Sequence, residues 1–328
     1  MKYIALMDTS VGSFNLGDSI IMESVERGLA PILKNNFVVN FPTHTPVFHK
    51  YEFSIHKNDG LSLGLKKFDL KFLCGTNLLE KNMKKRQNTW QYHLSDTKYF
   101  NDFVLVGVGT DQLPKLQNDY TKKFYNRALS HEIIHSTRDK KTQVFLQSLG
   151  FKAVDTGCAT LWPLNSEHCK KIPTVKSEDV IFTLTDYKKD ETKDKELIEV
   201  LLNNYRNVYY WPQGIGDLDY LQELGDDAII NKIDVISPSL RGYNNFLESH
   251  QCDFVGTRLH AGIKAMQQFK RTIILGVDNR ALDMHEEHHL NYLSRNDIGK
   301  LENMINSNIK TDIKVDYDAV KMFLNQFN

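Results

Sequence analysis

The chain has 328 residues, 41% apolar and 25% charged, with forty-one basic residues balanced by forty-one acidic ones. That length exceeds one ordinary core and implies two domains, while the charge balance provides no overall field to attract nucleic acid or an acidic membrane. Cys74, Cys158, Cys169 and Cys252 form no CxxC pair, a spacing that suits neither a zinc site nor a disulfide framework and fits a reducing compartment.

The opening "MKYIALMDTS" has too short an apolar run for a secretion signal, and no apolar stretch approaches the roughly 20 residues that span a bilayer. A cytosolic protein is expected. Short apolar runs follow in order: "YIALMD", "FVVNF", "DLKFLC", "DFVLVGVG", "EIIHST" and "KAVDTG", then "DVIFTLT", "NVYYWP", "DVISP", "CDFVG" and "TIILGV". Runs apolar on both faces are those of parallel strands covered by helices. Helical spacing separates many of them, in "DSIIMESVERGL", "YTKKFYNRAL", "KKTQVFLQSLG", "KDKELIEVLLNNY" and "AGIKAMQQF". Alternation of this kind predicts an α/β doubly wound architecture. The pattern pauses at "WPLNSEHCKKIPTVKSED", so the domains are drawn as 1–170 and 171–328, both Rossmann-like, with a ligand cleft between them. The run "DYKKDETKDKE" reads as a solvated loop and helix start.

Four places carry candidate chemistry. After the first strand, Gly12 to Ser19 has the GxxxxG spacing of a phosphate loop, but Asp18 stands where a lysine would neutralise phosphate. Asn15 and Asp18 either face the cleft and bond sugar hydroxyls, or belong to a plain turn in which Asp18 or Ser19 caps the helix. In "FVGTRLHAGIKAMQQF" the period changes from strand to helix at Thr257. With Thr257 as cap, Arg258 and His260 fall in the first turn, where free N–H groups and the helix dipole already favour an anion. A bound carboxylate or phosphate explains cations there; an ion pair with a nearby acid is the competing reading. Arg138, in "HSTRDKK", occupies the same kind of junction and has the same two readings, with Asp139 as its nearest acid. "HEEHH" fits the zinc pattern HExxH, but it lacks an apolar helix face and a third ligand, so no metal is expected. Trp90, Tyr92 and His93 could line a sugar subsite, with packing the simpler reading of the two aromatics and the donor site a further one for His93; "KNMKKRQ" is set down to a solvated face or to contact with anionic lipid.

"GSFNLGDSII", "STRDKKTQVFLQSLGFKAVDTGCATLWPL" and "CDFVGTRLHAGIKAM", in that order, resemble the polysaccharide pyruvyl transferase family over roughly residues 10 to 280. The resemblance implies two Rossmann-like domains arranged as in GT-B glycosyltransferases. Residues 1–170 would then be the acceptor side and 171–328 the phosphoenolpyruvate side. It implies transfer of pyruvyl from phosphoenolpyruvate to a sugar of a cell-surface polysaccharide, such as an exopolysaccharide, or of its glycan precursor. The products would be a pyruvate ketal and phosphate, with no cofactor besides the donor. Arg258 and His260 fall on the family's Arg-Leu-His motif, linked to phosphoenolpyruvate, and Arg138 on its Arg-Asp motif. Arg280 stands near a position where a lysine is often found. His260 becomes the first candidate for proton transfer, with Asp18 and Asp278 behind it. A lipid-linked oligosaccharide acceptor would bring the protein to the inner face of the membrane as a peripheral visitor. Two other readings stay open: a GT-B glycosyltransferase with a nucleotide-sugar donor, and a non-catalytic glycan-binding relative.

Overall fold

The structure is a computed structural model that describes residues 1–49, 64–86, 90–110, 118–225 and 227–327. Gln87 of the basic cluster lies outside the described residues. The chain divides into two compact units. Met1–Ser13, Ile21–Trp162 and Asp316–Asn328 form the first; Phe14–Ile20 and Pro163–Val315 form the second.

In the first unit, β1 (Tyr3–Asp8), β2 (Phe37–Pro42), β3 (Leu70–Cys74) and β5 (Val104–Val106) make a parallel sheet in the order β2-β1-β3-β5, while β4 (Asn77–Leu79) pairs with β6 (Gly109–Thr110). A parallel pair, β7 (His135–Thr137) and β8 (Ala153–Asp155), joins through a bridge from Val108 to Thr137. Ile4, Ala5, Leu6 and Met7 are all essentially inaccessible, as expected for a strand covered on both faces. The helices of this unit include α1 (Leu16–Gly28) from Ile21 onward, α2 (Asp119–Ala128) and α3 (Lys140–Ser148). Trp90 stacks on Tyr92 at 5.4 Å among Phe100, Phe103 and Phe124, and the Tyr92 hydroxyl donates to the Asp96 and Phe100 carbonyls. These two aromatics are core residues; neither ring face is available to a sugar. His93 bonds to Arg86 at 2.8 Å.

The second unit holds six parallel strands in the order β11-β10-β9-β12-β13-β14. They are β9 (Asp179–Thr183), β10 (Asn207–Tyr210), β11 (Ile233–Val235), β12 (Asp253–Gly256), β13 (Thr272–Gly276) and β14 (Tyr292–Ser294). The strands are linked by α4 (Glu191–Asn204), α5 (Asp217–Leu224), α6 (Leu240–Ser249), α7 (Leu259–Gln267) and α8 (Asn279–His288). Strand alternation builds a core on each face of the sheet. Val180, Phe182, Val255, Ile273 and Leu275 enter one, and Ile181, Phe254 and Ile274 enter the other. From β9 the chain winds outward through β10 and β11, then returns to set β12 on the opposite side of β9. At such a reversal the loops leaving the two strands diverge and open a crevice at their carboxyl ends.

The unit boundary falls at Trp162/Pro163 rather than near 170, and two segments cross the expected division. The last helix, α9 (Tyr317–Asn325), belongs to the first unit, where Phe327 packs edge-on against Phe72 at 5.1 Å and the Gln326 amide bonds both backbone groups of Ile134. Residues 14–20 belong to the second. There the Leu16 N–H donates to the Gln213 carbonyl, the Ile215 N–H donates to Phe14, and Ile20 enters the core with Trp211 and Phe254.

Candidate active site

The loops at the carboxyl ends of β9, β10, β12 and β13 gather a group of charged side chains in the second unit. Thr257 follows β12, but it does not cap α7. Its hydroxyl bonds Thr185 at 2.8 Å and the Thr183 carbonyl at 3.3 Å, so that its one donor is used across the sheet. Arg258 takes the N-cap position and supplies no side-chain cap. The first turn of α7 therefore opens on backbone alone, with Leu259 and His260 as its first two residues.

Arg258 is 3% exposed, and its guanidinium is already engaged. Nε donates to the Leu184 carbonyl and to Asp217 Oδ2, both at 3.0 Å; Nη2 donates to Asp186 Oδ1 at 2.8 Å and to Asp217 Oδ1. Asp217 thus occupies the bidentate edge expected to clamp a ligand. Among the described residues only Nη1 carries no bond. Asp217 is fully buried and also accepts from the Gln213, Gly214 and Asp186 N–H groups. Burial pushes its carboxyl up from the ordinary aspartate range, against the lowering pull of the Arg258 bonds and of the Gly214 and Asp186 amides. Burial also works against the charged form of Arg258, but the Asp217 bonds outweigh it and raise the guanidinium further.

The loop between β10 and α5 is shaped around this pair. A Cβ at Gly214 would lie 2.2 Å from Arg258 Nη2, and one at Gly216 would lie 2.5 Å from Asp186 Oδ2. The same loop holds the chain start of the unit: Gln213 Nε2 donates to Asn15 Oδ1 at 2.7 Å, and Asn15 bridges Gly214. Asn15 also accepts from the Gly17 N–H at 3.0 Å, so Asn15, not Asp18 or Ser19, caps α1. Asp18 lies buried in the first turn of α1.

Beyond β13, Asp278 caps α8 and binds Arg280 through Oδ2, at 2.6 Å to Nη2 and 3.1 Å to Nε. Burial alone would raise this carboxyl, yet the Arg280 bonds hold it below the usual range, which disfavours Asp278 as a proton donor. The Arg280 Nη2 also donates to the Tyr187 hydroxyl. The Tyr187 ring lies 5.0 Å from Arg258 Cζ and 5.9 Å from Arg280 Cζ, within cation–π range of both. For Arg258, then, the ion-pair reading describes the structure, and Arg280, held by Asp278, is no bare cation either.

Arg138 is different. It follows β7 in the first unit, where Asp139 caps α3 by accepting from the Thr142 N–H. Among the described residues its one ion pair, Nη2 to Asp139 Oδ2, is long at 3.5 Å. The guanidinium packs over Gly109, where a Cβ would come within 2.9 Å of Nε and Cζ, beside the unpartnered Asn77 Oδ1. Of the three arginines it has spent the fewest donors on described residues.

Asp186, Tyr187 and Asp217 were missed in the sequence. The one local signal was "QGIGD" after a strand, two glycines leading to an acid. Asp186 opens the charge-rich run assigned to solvent, yet it turns inward to Arg258. "HEEHH" does not build a zinc face: α8 ends at His288, His289 is left-handed at φ 60°, and His285 Nδ1 bonds the Leu290 carbonyl. Among the described residues no group of three or more His, Cys, Asp or Glu is placed to hold a metal ion, and no helix is long and apolar enough to cross a membrane.

Comparison with solved structures finds the same α/β fold, of the GT-B class, in the Methanocaldococcus jannaschii UDP-GlcNAc 2-epimerase, at 13% identity and a TM-score of 0.51 over 99% of this chain and 98% of that one. S. aureus MnaA, solved with UDP, is similar at 12% identity and a TM-score of 0.50 over 98% of this chain and 91% of that one. Comparison with curated proteins finds no match. The sequence model of polysaccharide pyruvyl transferases matches residues 15–279, a span that takes in the Asn15 turn, Arg138, the "QGIGD" loop and the Arg258-Leu259-His260 junction. The chain belongs to the polysaccharide pyruvyl transferase family and is a transferase.

Proposed function

We propose that the enzyme takes pyruvyl from phosphoenolpyruvate and forms a ketal on a sugar of a glycan precursor, with a lipid-linked oligosaccharide at the inner membrane face as the acceptor class. The observation that carries this reading is the Arg258-Leu259-His260 junction. It stands at the reversal of strand order, where α7 begins without a side-chain cap and where, among the described residues, Arg258 keeps Nη1 unspent. A helix start of this kind favours negative charge, and phosphoenolpyruvate carries both a carboxylate and a phosphate. Asp217 fixes the guanidinium, so Nη1 is the donor left for a ligand oxygen. His260, the second residue of α7, takes the proton of an attacking hydroxyl and passes it to the leaving phosphate; a positioned acid–base group contributes ~10²–10⁴-fold. Arg138, in the first unit, is proposed as a substrate-binding residue of that unit. Asn15 and Asp18 serve through the turn they build, and Arg280 through Tyr187.

The test is mass spectrometry of lipid-linked sugars incubated with the protein and phosphoenolpyruvate. A product heavier by one pyruvate ketal, with equimolar phosphate, is expected. Turnover of a nucleotide sugar with release of nucleotide would replace this reading with a glycosyltransferase. Glycan binding without consumption of phosphoenolpyruvate would replace it with a binding protein.

A further inference from the structure

We propose that Asp186 is a catalytic residue, the carboxyl group that takes up a proton when the donor docks and delivers it to the donor's methylene carbon. The inference rests on the phosphoenolpyruvate reading above and adds to it the identity of the acid. It starts from a charge imbalance. Arg258 meets two carboxylates, and the fully buried Asp217 alone, with its two bonds to the guanidinium, is enough to neutralise it. Arg280 is matched by Asp278. Asp186 is the surplus charge of the group. Its side chain is 24% exposed, so solvent reaches it, whereas Asp217 is closed off and saturated by five N–H bonds.

The two oxygens of Asp186 are in different positions. Oδ1 accepts from Arg258 Nη2 and from the Tyr187 N–H, both at 2.8 Å. Among the described residues Oδ2 accepts nothing, and it lies over Gly216, where a Cβ would sit 2.5 Å away. One oxygen is therefore anchored, and the other has room to carry a proton. The charged and titratable groups around it are Arg258 at the end of β12, Asp217 at the start of α5, and Tyr187 beside it, the last tied to Arg280 and Asp278 beyond β13. A multiply charged anion docking at α7 adds negative charge next to a carboxylate that already lacks a full cation of its own.

The proton balance closes. Protonated Asp186 gives its proton to C3 of phosphoenolpyruvate, whose C=C electron pair forms the new C–H bond and leaves C2 electron-poor. An acceptor hydroxyl oxygen bonds C2 and its proton goes to His260. The C2–O bond to phosphate breaks, and that proton leaves with the phosphate. The second hydroxyl then bonds C2, and its proton restores Asp186.

The experiment is calorimetry of phosphoenolpyruvate binding in buffers of different ionisation enthalpy, at a pH where the phosphate is fully ionised, with wild-type protein, Asp186→Asn and Asp186→Ala. Wild type should take up close to one proton per donor bound, and both variants should bind equally well or better with that uptake lost. In turnover, Asp186→Asn should lower kcat at least 100-fold with KM for the donor unchanged or reduced. Binding by the variants with unchanged proton uptake, or a rise in KM at constant kcat, overturns the assignment to Asp186 while leaving the donor reading in place. Absence of phosphoenolpyruvate binding by the wild type overturns both.

Discussion

Replacing Arg258 by Ala removes a cation from a carboxylate that has no access to water. Asp217 is fully buried and would lose both guanidinium bonds, keeping only the Gln213, Gly214 and Asp186 N–H groups. Breaking a buried pair on one side costs about 3–5 kcal/mol, and loss of the guanidinium over Tyr187 at 5.0 Å adds ~0.5–1 kcal/mol. Against a total stability of about 5–15 kcal/mol, this is enough to lower the population of folded enzyme by itself, so loss of turnover in Arg258→Ala would not alone establish ligand contact. The design that separates the two is a cycle of Arg258→Ala, Asp217→Asn and the double variant, read by urea unfolding. Because the cost comes from an orphaned charge, the double variant should be more stable than the sum of the singles by at least ~1 kcal/mol. A loss below ~1 kcal/mol in Arg258→Ala, or strict additivity, would refute the claim that Asp217 holds Arg258 in place.

His260→Gln should reduce kcat about 100-fold or more while donor affinity changes by less than about threefold; steady-state kinetics that show the reverse make it a binding residue only. Gly214→Ala should raise the donor KM more than it lowers stability, because the new Cβ would meet Arg258 Nη2 at 2.2 Å and the guanidinium is the part that must yield; an unchanged KM would show that the cradle is slack. In the first unit, burial lowers the pKa of His135 to about 4, with Nδ1 accepting from the Leu105 N–H and Nε2 donating to the Ser130 carbonyl. The unfolded chain therefore binds this proton first, and stability falls as pH drops from about 6.5 to 4, by about 3 kcal/mol in all. Denaturant unfolding across that range should lose this slope in His135→Gln; an unaltered slope would assign the acid sensitivity elsewhere.

Much of the fold was legible because a buried parallel strand leaves an unambiguous mark: "YIALMD", "DVIFTLT" and "TIILGV" are continuous apolar runs, and each is a strand. The junction at Arg258 was legible for the same reason, since the period changes there. Its partners were not. Asp186 and Asp217 lie 72 and 41 positions away in the chain, and they reach Arg258 only because β9 stands beside β12, with β10 on the far side of β9, in the sheet. Sheet order follows from packing as a whole, and no local pattern encodes it. The cap of α7 was misplaced by one residue because a threonine at a strand end can bond sideways as readily as forward, and Thr257 does. The return of α9 to the first unit was equally hidden, since its helical period tells which face is apolar and not which core that face will meet.

The most direct measurement is the structure of the protein soaked with phosphoenolpyruvate. An anionic oxygen of the donor within hydrogen-bond distance of Arg258 Nη1 and of the first-turn amides of α7, with the Asp217–Arg258 bonds intact, is the expected result. Donor bound away from the β9/β12 crevice, or Arg258 still shielded from it on every edge, would contradict the account.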